Sequence, residues 1–348
     1  MDSRCIIRLC GASSTEFLQG LLTNDMRSIS RLGSFMYSLF LNVKGRVMSD
    51  VFVYHTKTVT PGEETFLLEV DKADSASLLR YLSSYNLRKR VSISLQEDLS
   101  VWVALPSTSI NSLVDSNCWL PVEPPSMSQN GDLLFYAPDP RGLPGWSGRI
   151  LMKSHTQANA VFTAANESPS VVDVYHQMRW RMGLPEGASE IIRNETLPLE
   201  ANADLSGGIS FSKGCYVGQE LTARTRFTGV VRRRFVPVRL CSADQLVSNL
   251  SPGCHFTNAV VTVETSAEQR LSKPIGWLRA VWIPHEGPIN FIEGLALLRL
   301  TDVSSSPSQI FTALSDPDPS KSCTLLVTPY APNWWPKEVA PELQRLGE

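Results

Sequence analysis

The 348-residue chain has no Cys-x-x-Cys pair, no apolar run of membrane-spanning length and no marked excess of either charge. Its seven cysteines (Cys5, Cys10, Cys118, Cys215, Cys241, Cys254 and Cys323) are odd in number and scattered. That spacing fits neither a zinc ribbon nor a thioredoxin-type dithiol. A disulfide framework is unusual at this length, so the thiols read as reduced and the compartment as intracellular. A membrane span needs roughly 20 consecutive apolar residues, and none is present. The formal net charge is only −2, which offers neither nucleic acid nor an anionic membrane a bulk partner. Histidine is scarce: the five, at 55, 155, 176, 255 and 285, form no pair at metal-ligand spacing. His255 beside Cys254 is a weak pair, and His176 falls on an expected helix, where a structural role is the simpler reading. There is no Gly-rich phosphate loop and no Ser/His/Asp grouping that can be placed. The start, MDSRCIIRLC, lacks a secretory apolar region and is shorter than an Arg-rich transit peptide.

What remains is a globular composition, 43% apolar and 19% charged, long enough for two or three domains. Residues 5–9 read as a strand. Ser13–Met26 reads as a helix, with Phe17, Leu18, Leu21 and Leu22 on one face. Phe35–Asn42 and Arg46–His55 form a hairpin about Val43-Lys44-Gly45, and Thr65–Val70 is a third strand. Asp71 or Asp74 opens a helix with Leu78, Leu82 and Tyr85 on one face, and Arg88-Lys89-Arg90 at its C-terminal pole. Short strands follow at 91–95, 100–104, 131–137 and 148–152, with Pro/Gly-rich loops at Pro121–Pro125 and Pro138–Gly145. Val171–Met182 is helical and ends at Gly183-Leu184-Pro185. From Arg226 onward the chain reads as strands, at 229–240, 257–263, 275–283, 294–300 and 323–328, with Asp302–Ser320 as a loop. The pattern gives an α+β region over 1–235 and a C-terminal β-barrel over 236–348.

One segment carries unusual chemistry: Gly207–Phe227, GGISFSKGCYVGQELTARTRF. Here a thiol sits among Lys213, Gly214, Tyr216, Gly218, Gln219 and Glu220 rather than in an apolar run. Gly214 and Gly218 permit tight turns and close approach of another surface. Lys213 could favour the thiolate, the form that attacks and that binds metal. The residues alone leave two readings, an inert thiol buried in a turn and a ligand or nucleophile.

The run Lys213-Gly-Cys-Tyr-Val-Gly-Gln-Glu220 resembles the signature of the YgfZ-type folate-binding proteins, relatives of the aminomethyltransferase (T-protein) of the glycine cleavage system. Phe17-Leu-Gln-Gly-Leu-Leu-Thr-Asn-Asp25 is similar to that family's first helix and loop, and Leu41-Asn-Val-Lys-Gly-Arg-Val-Met-Ser-Asp50 to its hairpin. Asp139-Pro-Arg141 with Gly145-Trp146, and Asn333-Trp-Trp-Pro336, resemble its mid-chain and C-terminal motifs, so nearly the whole chain is covered. The likeness is greatest to the family's mitochondrial branch, which helps to make [4Fe–4S] clusters. It implies a T-protein-like fold: two interleaved α+β subdomains, one ferredoxin-like, and a C-terminal barrel around a central folate-sized channel. It also implies tetrahydrofolate as a cofactor, A-type iron–sulfur carriers as partners, no nucleic acid, no transmembrane segment, a monomer or transient hetero-complex, and the mitochondrial matrix.

Site roles follow the same resemblance. Cys215 becomes a ligand to a transient [2Fe–2S] or [4Fe–4S] cluster shared with a partner, because a cluster normally takes about four thiolate-type ligands and this chain offers one cysteine in a suited setting. Lys213, Gly214, Gly218, Gln219 and Glu220 support it. Glu200 resembles the pterin-side acid, since a carboxylate can accept neighbouring pterin N–H groups as a pair. Tyr216, or Trp180, would supply an aromatic wall, and Arg224 a cation for the glutamyl tail. Asp50 lies near where the aminomethyltransferases carry a catalytic Asp, although Ser49 stands where a second acid is expected; this keeps tetrahydrofolate-dependent aminomethyl transfer as the alternative function. Arg224, Arg226, Arg232, Arg233 and Arg234 read either as a solvated run or as a surface for a folate tail, an acidic partner or nucleic acid; the last lacks a stacking motif beside the arginines. Trp334 and Trp335 read as an apolar plug.

Overall fold

A computed structural model describes residues 1–57, 61–87, 89–105, 133–142, 147–154, 169–242, 253–264, 272–284, 292–304, 310–314, 323–339 and 341–344. The loop at Pro121–Pro125, Gly145-Trp146, Cys118, His155 and His285 lie outside the described residues. The chain divides into two compact units. The first comprises Met1–Ser168, Glu186–Leu199 and Ala203–Gly229; the second comprises Pro169–Pro185, Glu200–Asn202 and Val230–Glu348. The last crossing between them, Gly229/Val230, lies near the sequence boundary at 235/236, and two earlier segments also pass to the second unit.

In the first unit, β1 (Arg4–Gly11), β2 (Phe35–Leu41), β3 (Val47–Thr56), β4 (Glu64–Asp71) and β5 (Ser92–Gln96) form an antiparallel sheet in the order β2-β3-β4-β1-β5. Alternation along each strand sends Ile7, Leu9, Val51, Val53, Phe66 and Leu68 to one face. There they pack with Leu18 and Leu22, and with Leu78 and Leu82 of helix α2 (Lys72–Tyr85). Asp71 is the N-cap of α2, accepting from Ala73 N at 2.8 Å. The helix ends at Tyr85, before Lys89 and Arg90, so no basic residue occupies its last turn. The second sheet of this unit, in the order β6-β8-β7, consists of β6 (Leu99–Ala104), β7 (Leu133–Pro138) and β8 (Gly148–Lys153).

Three of the differences from the sequence reading bear on the site and the barrel. Helix α1 covers only Ser14–Gln19. It stops at Gly20 because Thr23, Asn24 and Asp25 engage other backbone: Thr23 Oγ1 donates to Gly208 O, Asn24 Nδ2 to Tyr37 O, and Asp25 accepts from Arg27 N. Residues 219–228, expected to turn strand-rich from Arg226, form a helix, bracketed by Gly218 and Gly229. In the second unit, Ile310–Leu314 is a strand rather than part of a loop.

That strand completes the barrel. The second unit contains helix α3 (Pro169–Arg181) and strands β9 (Arg233–Ser242), β10 (Gly253–Glu264), β11 (Ser272–Ile283), β12 (Ile292–Arg299), β13 (Ile310–Leu314) and β14 (Cys323–Pro329). Among the described residues these strands close in the order β10-β11-β12-β9-β14-β13, with β13 returning to β10. Trp335 is buried against Gly183, whose φ of +68° suits the turn after α3, and Trp334 Nε1 donates to Met182 O at 3.1 Å. His176 accepts from Arg179 and stacks on the buried Trp180, so both rings are structural.

Candidate functional site

The thiol segment is stitched to the loop after α1. Asn24 Nδ2 donates to Gly207 O at 2.8 Å, Thr23 Oγ1 to Gly208 O at 2.7 Å, and Ser210 N to Thr23 O at 3.0 Å. Lys213 Nζ donates to three carbonyls, those of Gln19 at 2.8 Å, Leu22 at 2.7 Å and Asn24 at 2.8 Å. On the far side of the cysteine, Val217 N donates to Gly20 O at 3.0 Å, and Gln219 Oε1 accepts from Tyr216 N at 3.0 Å. Residues 213 and 217 are thus both anchored. Between them Gly214 and Cys215 are exposed, and the thiol is free. A Cβ placed on Gly214 would meet nothing within 4 Å. The sulfur stands at the apex of a short arch whose feet are held.

This geometry gives Lys213 an anchoring role. An ammonium has three donors, and all three are engaged by the carbonyls. The side chain therefore holds the arch down and has no donor left for a thiolate. Burial pushes its pKa down to about 8, opposed by the nearby Asp25.

Gly218 and Gly45 explain the hairpin and the arch together. Gly218 adopts φ +78° as the N-cap of helix α4 (Gln219–Thr228), and a Cβ there would run into the Asn42 carbonyl. A Cβ on Gly45 would lie 2.8 Å from Gly218 O and 3.0 Å from Leu221 Cβ. The hairpin tip and the start of α4 are in backbone contact, which only glycine allows.

Helix α4 also rearranges the arginines. On a strand Arg224 and Arg226 would share a face; on a helix, residues two apart diverge. Glu220, Arg224 and Phe227, all exposed, form one stripe, while Thr222 is buried. Phe227 meets Phe211 edge-on at 6.2 Å, and the Arg226 guanidinium lies over the Phe211 ring at 5.1 Å. Tyr216 is half-buried, its phenol pushed up to about 12 by burial.

Asp50 lies on β3 and is 1% exposed. Its carboxylate accepts from Arg4 Nη1 at 3.2 Å and from Gly187 N at 3.1 Å. Burial raises its pKa, with Arg4 opposing that shift. It belongs to a charged layer that sequence reasoning missed. Arg4 also pairs with Glu69 at 3.0 Å, and Arg149 pairs with Glu69 at 2.9 Å and Glu186 at 2.5 Å. Arg141 pairs with Asp139 at 2.9 Å and Glu186 at 2.7 Å. The Arg149 and Arg141 guanidinium groups lie 4.2 and 4.6 Å from the Phe52 ring centroid. The signal was present in the sequence: Arg4, Asp50, Glu69 and Arg149 are each a charge inside a mostly apolar strand.

Glu200 belongs to the second unit. It is buried, and its Oε1 accepts from Arg233 Nε at 2.7 Å. Arg234 is also buried, donating to Asn202 Oδ1 at 3.1 Å, so the five-arginine run is not uniformly solvated. Among the described residues, no three His, Cys, Asp or Glu side chains are grouped to hold a metal ion. No described helix is long and apolar enough to cross a membrane.

No family model matches the chain. It is 33% identical over 344 residues to the mouse protein named iron–sulfur cluster assembly factor IBA57, mitochondrial, covering 97% of this chain and 84% of that protein. The human protein of the same name is 32% identical over 348 residues, with the same coverage of each. Among solved structures, the glycine cleavage system aminomethyltransferase T from Bartonella henselae matches with a TM-score of 0.58 at 14% identity, covering 93% of this chain and 82% of that one. That likeness establishes an aminomethyltransferase-like fold. The extent and level of identity to the mouse and human proteins show that the chain belongs to the IBA57 family of mitochondrial iron–sulfur cluster assembly factors.

Proposed function

We propose that this chain assists the maturation of [4Fe–4S] proteins in the mitochondrial matrix, with Cys215 completing the ligand set of a cluster brought by an A-type iron–sulfur carrier. The observation that carries this reading is the open sulfur at the apex of an anchored arch. Ligation needs a thiolate that reaches iron on another molecule. The thiol releases its proton to solvent and its sulfur donates a lone pair to iron, displacing a weaker ligand; no electron is transferred in that step. A cluster that normally takes about four thiolate-type ligands then draws the others from the carrier. The names of the relatives support the same reading.

The test mixes the reduced protein with a [2Fe–2S]-loaded A-type carrier and follows visible absorption and co-elution. The expected result is a shifted charge-transfer spectrum and a complex that Cys215→Ser abolishes. The same spectrum and complex from Cys215→Ser would remove Cys215 from the ligand set.

Tetrahydrofolate is a second proposal. Glu200, Tyr216 and Arg224 are of the right kinds for a pterin N–H pair, an aromatic or hydroxyl contact and a glutamyl tail, although Glu200 already accepts from Arg233. When bound, the cofactor would supply a one-carbon acceptor. A rise in melting temperature with tetrahydrofolate, reduced in Glu200→Gln, is the expected result; no shift in the parent protein would remove the proposal. Aminomethyl transfer is the less favoured reading, because the Asp50 carboxylate is sealed against Arg4.

A further inference from the structure

The basic run Arg88-Lys89-Arg90 has no part in the thiol site, nor does it close helix α2. That helix stops at Tyr85 with Asn86 as its C-cap, so the cations belong to the turn between α2 and β5. The small net charge of the whole chain conceals a local excess here. Between Asp74 and Glu97 stand Arg80, Arg88, Lys89 and Arg90, and no acidic residue.

The turn is pinned at its base. Asn86 Nδ2 donates to Val91 O at 2.7 Å, and Asn86 Oδ1 accepts from Val91 N at 3.1 Å. Gly11 lies against the same base, where a Cβ would stand 3.3 Å from Arg90 O. Arg90 takes φ +51°, a left-handed conformation uncommon for a residue with a side chain. Lys89 pairs with Glu16 of α1 at 2.5 Å, and both side chains stay open to water. The fixed base leaves Leu87 standing in solvent. It is 86% exposed, more than any other large apolar side chain among the described residues, and Tyr85 beside it is 38% exposed.

An apolar tip on a pinned turn, flanked by a tyrosine and by cations, has the make-up of an interfacial membrane contact. The leucine reaches the acyl boundary and the phenol suits the headgroup level. Each cation held near an anionic lipid surface strengthens binding about fivefold. Other macromolecules fit less well. A specific protein partner needs roughly 800 Å² of complementary surface on each side, far more than one leucine and one tyrosine offer. Single-stranded nucleic acid stacks on aromatic planes, and the tip residue here is aliphatic. We propose that the turn between α2 and β5 is a peripheral docking site for an anionic phospholipid bilayer, with Leu87 inserted between headgroups and Lys89 and Arg90 set on their phosphates.

The test is co-sedimentation of the full chain with vesicles of phosphatidylcholine alone, and of equal parts phosphatidylcholine and phosphatidylglycerol, at low and high salt. The parent chain is compared with Leu87→Ser, Lys89→Glu/Arg90→Glu and Lys89→Gln/Arg90→Gln, each first checked for a parent-like melting temperature. The neutral pair keeps the test open if charge reversal beside Glu16 weakens the fold. The parent should bind the mixed vesicles about tenfold or more tighter than phosphatidylcholine alone, and salt should weaken that binding. Leu87→Ser should lose about tenfold, the neutral pair on the order of twentyfold, and the reversed pair more. A parent chain that stays in the supernatant with mixed vesicles overturns the proposal, as does parent-like binding by either Leu87→Ser or the neutral pair. If Leu87→Ser binds as the parent does and inorganic phosphate at matched ionic strength displaces both, the cations serve a free anion and the bilayer is ruled out.

Discussion

Two regions of the first unit handle reactive groups in opposite ways. Beneath the five-stranded sheet, Arg4, Arg141 and Arg149 are buried with Asp50, Glu69, Asp139 and Glu186, and each charge has a named counter-charge within the same layer. At the arch, a thiol that could have been buried is exposed while its neighbours on both sides are tied down. Buried charge must be paired inside the protein because desolvation is costly. A group meant for another molecule must keep its valence open. The comparison separates charges paired within the fold from a thiol left open to solvent, and stability measurements can break it.

The largest effect is expected at Arg149→Met. Glu69 and Glu186 would each lose one partner in a buried site, keeping Arg4 and Arg141 respectively, and removing one member of a buried pair typically costs about 3–5 kcal/mol. Chemical denaturation should show a loss of that size; a loss under about 1 kcal/mol would mean that water reaches the layer.

Asp74 lies at the edge of the same layer. Burial, with Asp50 and Asp71 adding to it, raises its pKa to about 6 from 3.8, against the opposing Arg193. The folded state therefore holds this proton more tightly than the unfolded chain. The stability this group contributes falls as pH rises from about 4 to about 6 and stays lower above that. Asp74→Asn should flatten this slope and stabilise the protein at pH 7 by about 2 kcal/mol. Thermal melts from pH 4 to pH 8 check the sign.

Lys213→Met comes next. It leaves the Gln19, Leu22 and Asn24 carbonyls without their shared donor, at a cost of about 1–3 kcal/mol. Amide exchange should quicken at Ser210 and Val217 while the β1–β4 ladder stays protected. The smallest stability effect belongs to Cys215→Ser, within about 0.5 kcal/mol, as for an exposed residue with no packing role. A larger loss would place the sulfur in the fold's own structure and blur the contrast between the two regions.

Much of this division was legible in the sequence. The hairpin read correctly because apolar alternation surrounds Val43-Lys44-Gly45, and Gly45 does take φ +76°. The thiol segment stood out because its neighbours are polar and small. Helix α4 did not, since QELTARTRFT presents no apolar face: only Thr222 is buried, and packing rather than periodicity holds it. Helix α1 was read too long because Leu21 and Leu22 extend the apolar pattern past Gly20, although they pack as loop residues. The charged layer was missed because its members are spread from Arg4 to Glu186, and no local pattern joins them. Barrel closure depended on Ile310–Leu314, a short strand within a Ser/Pro/Asp-rich stretch.

The central claim is that the sulfur at position 215 bonds directly to iron carried by a second protein. The sharpest test replaces Cys215 alone with selenocysteine, adds cluster-loaded A-type carrier, and records X-ray absorption at the selenium edge. An iron neighbour around selenium is the predicted result; a selenium with carbon as its only neighbour, in a complex that has nonetheless formed, would contradict it.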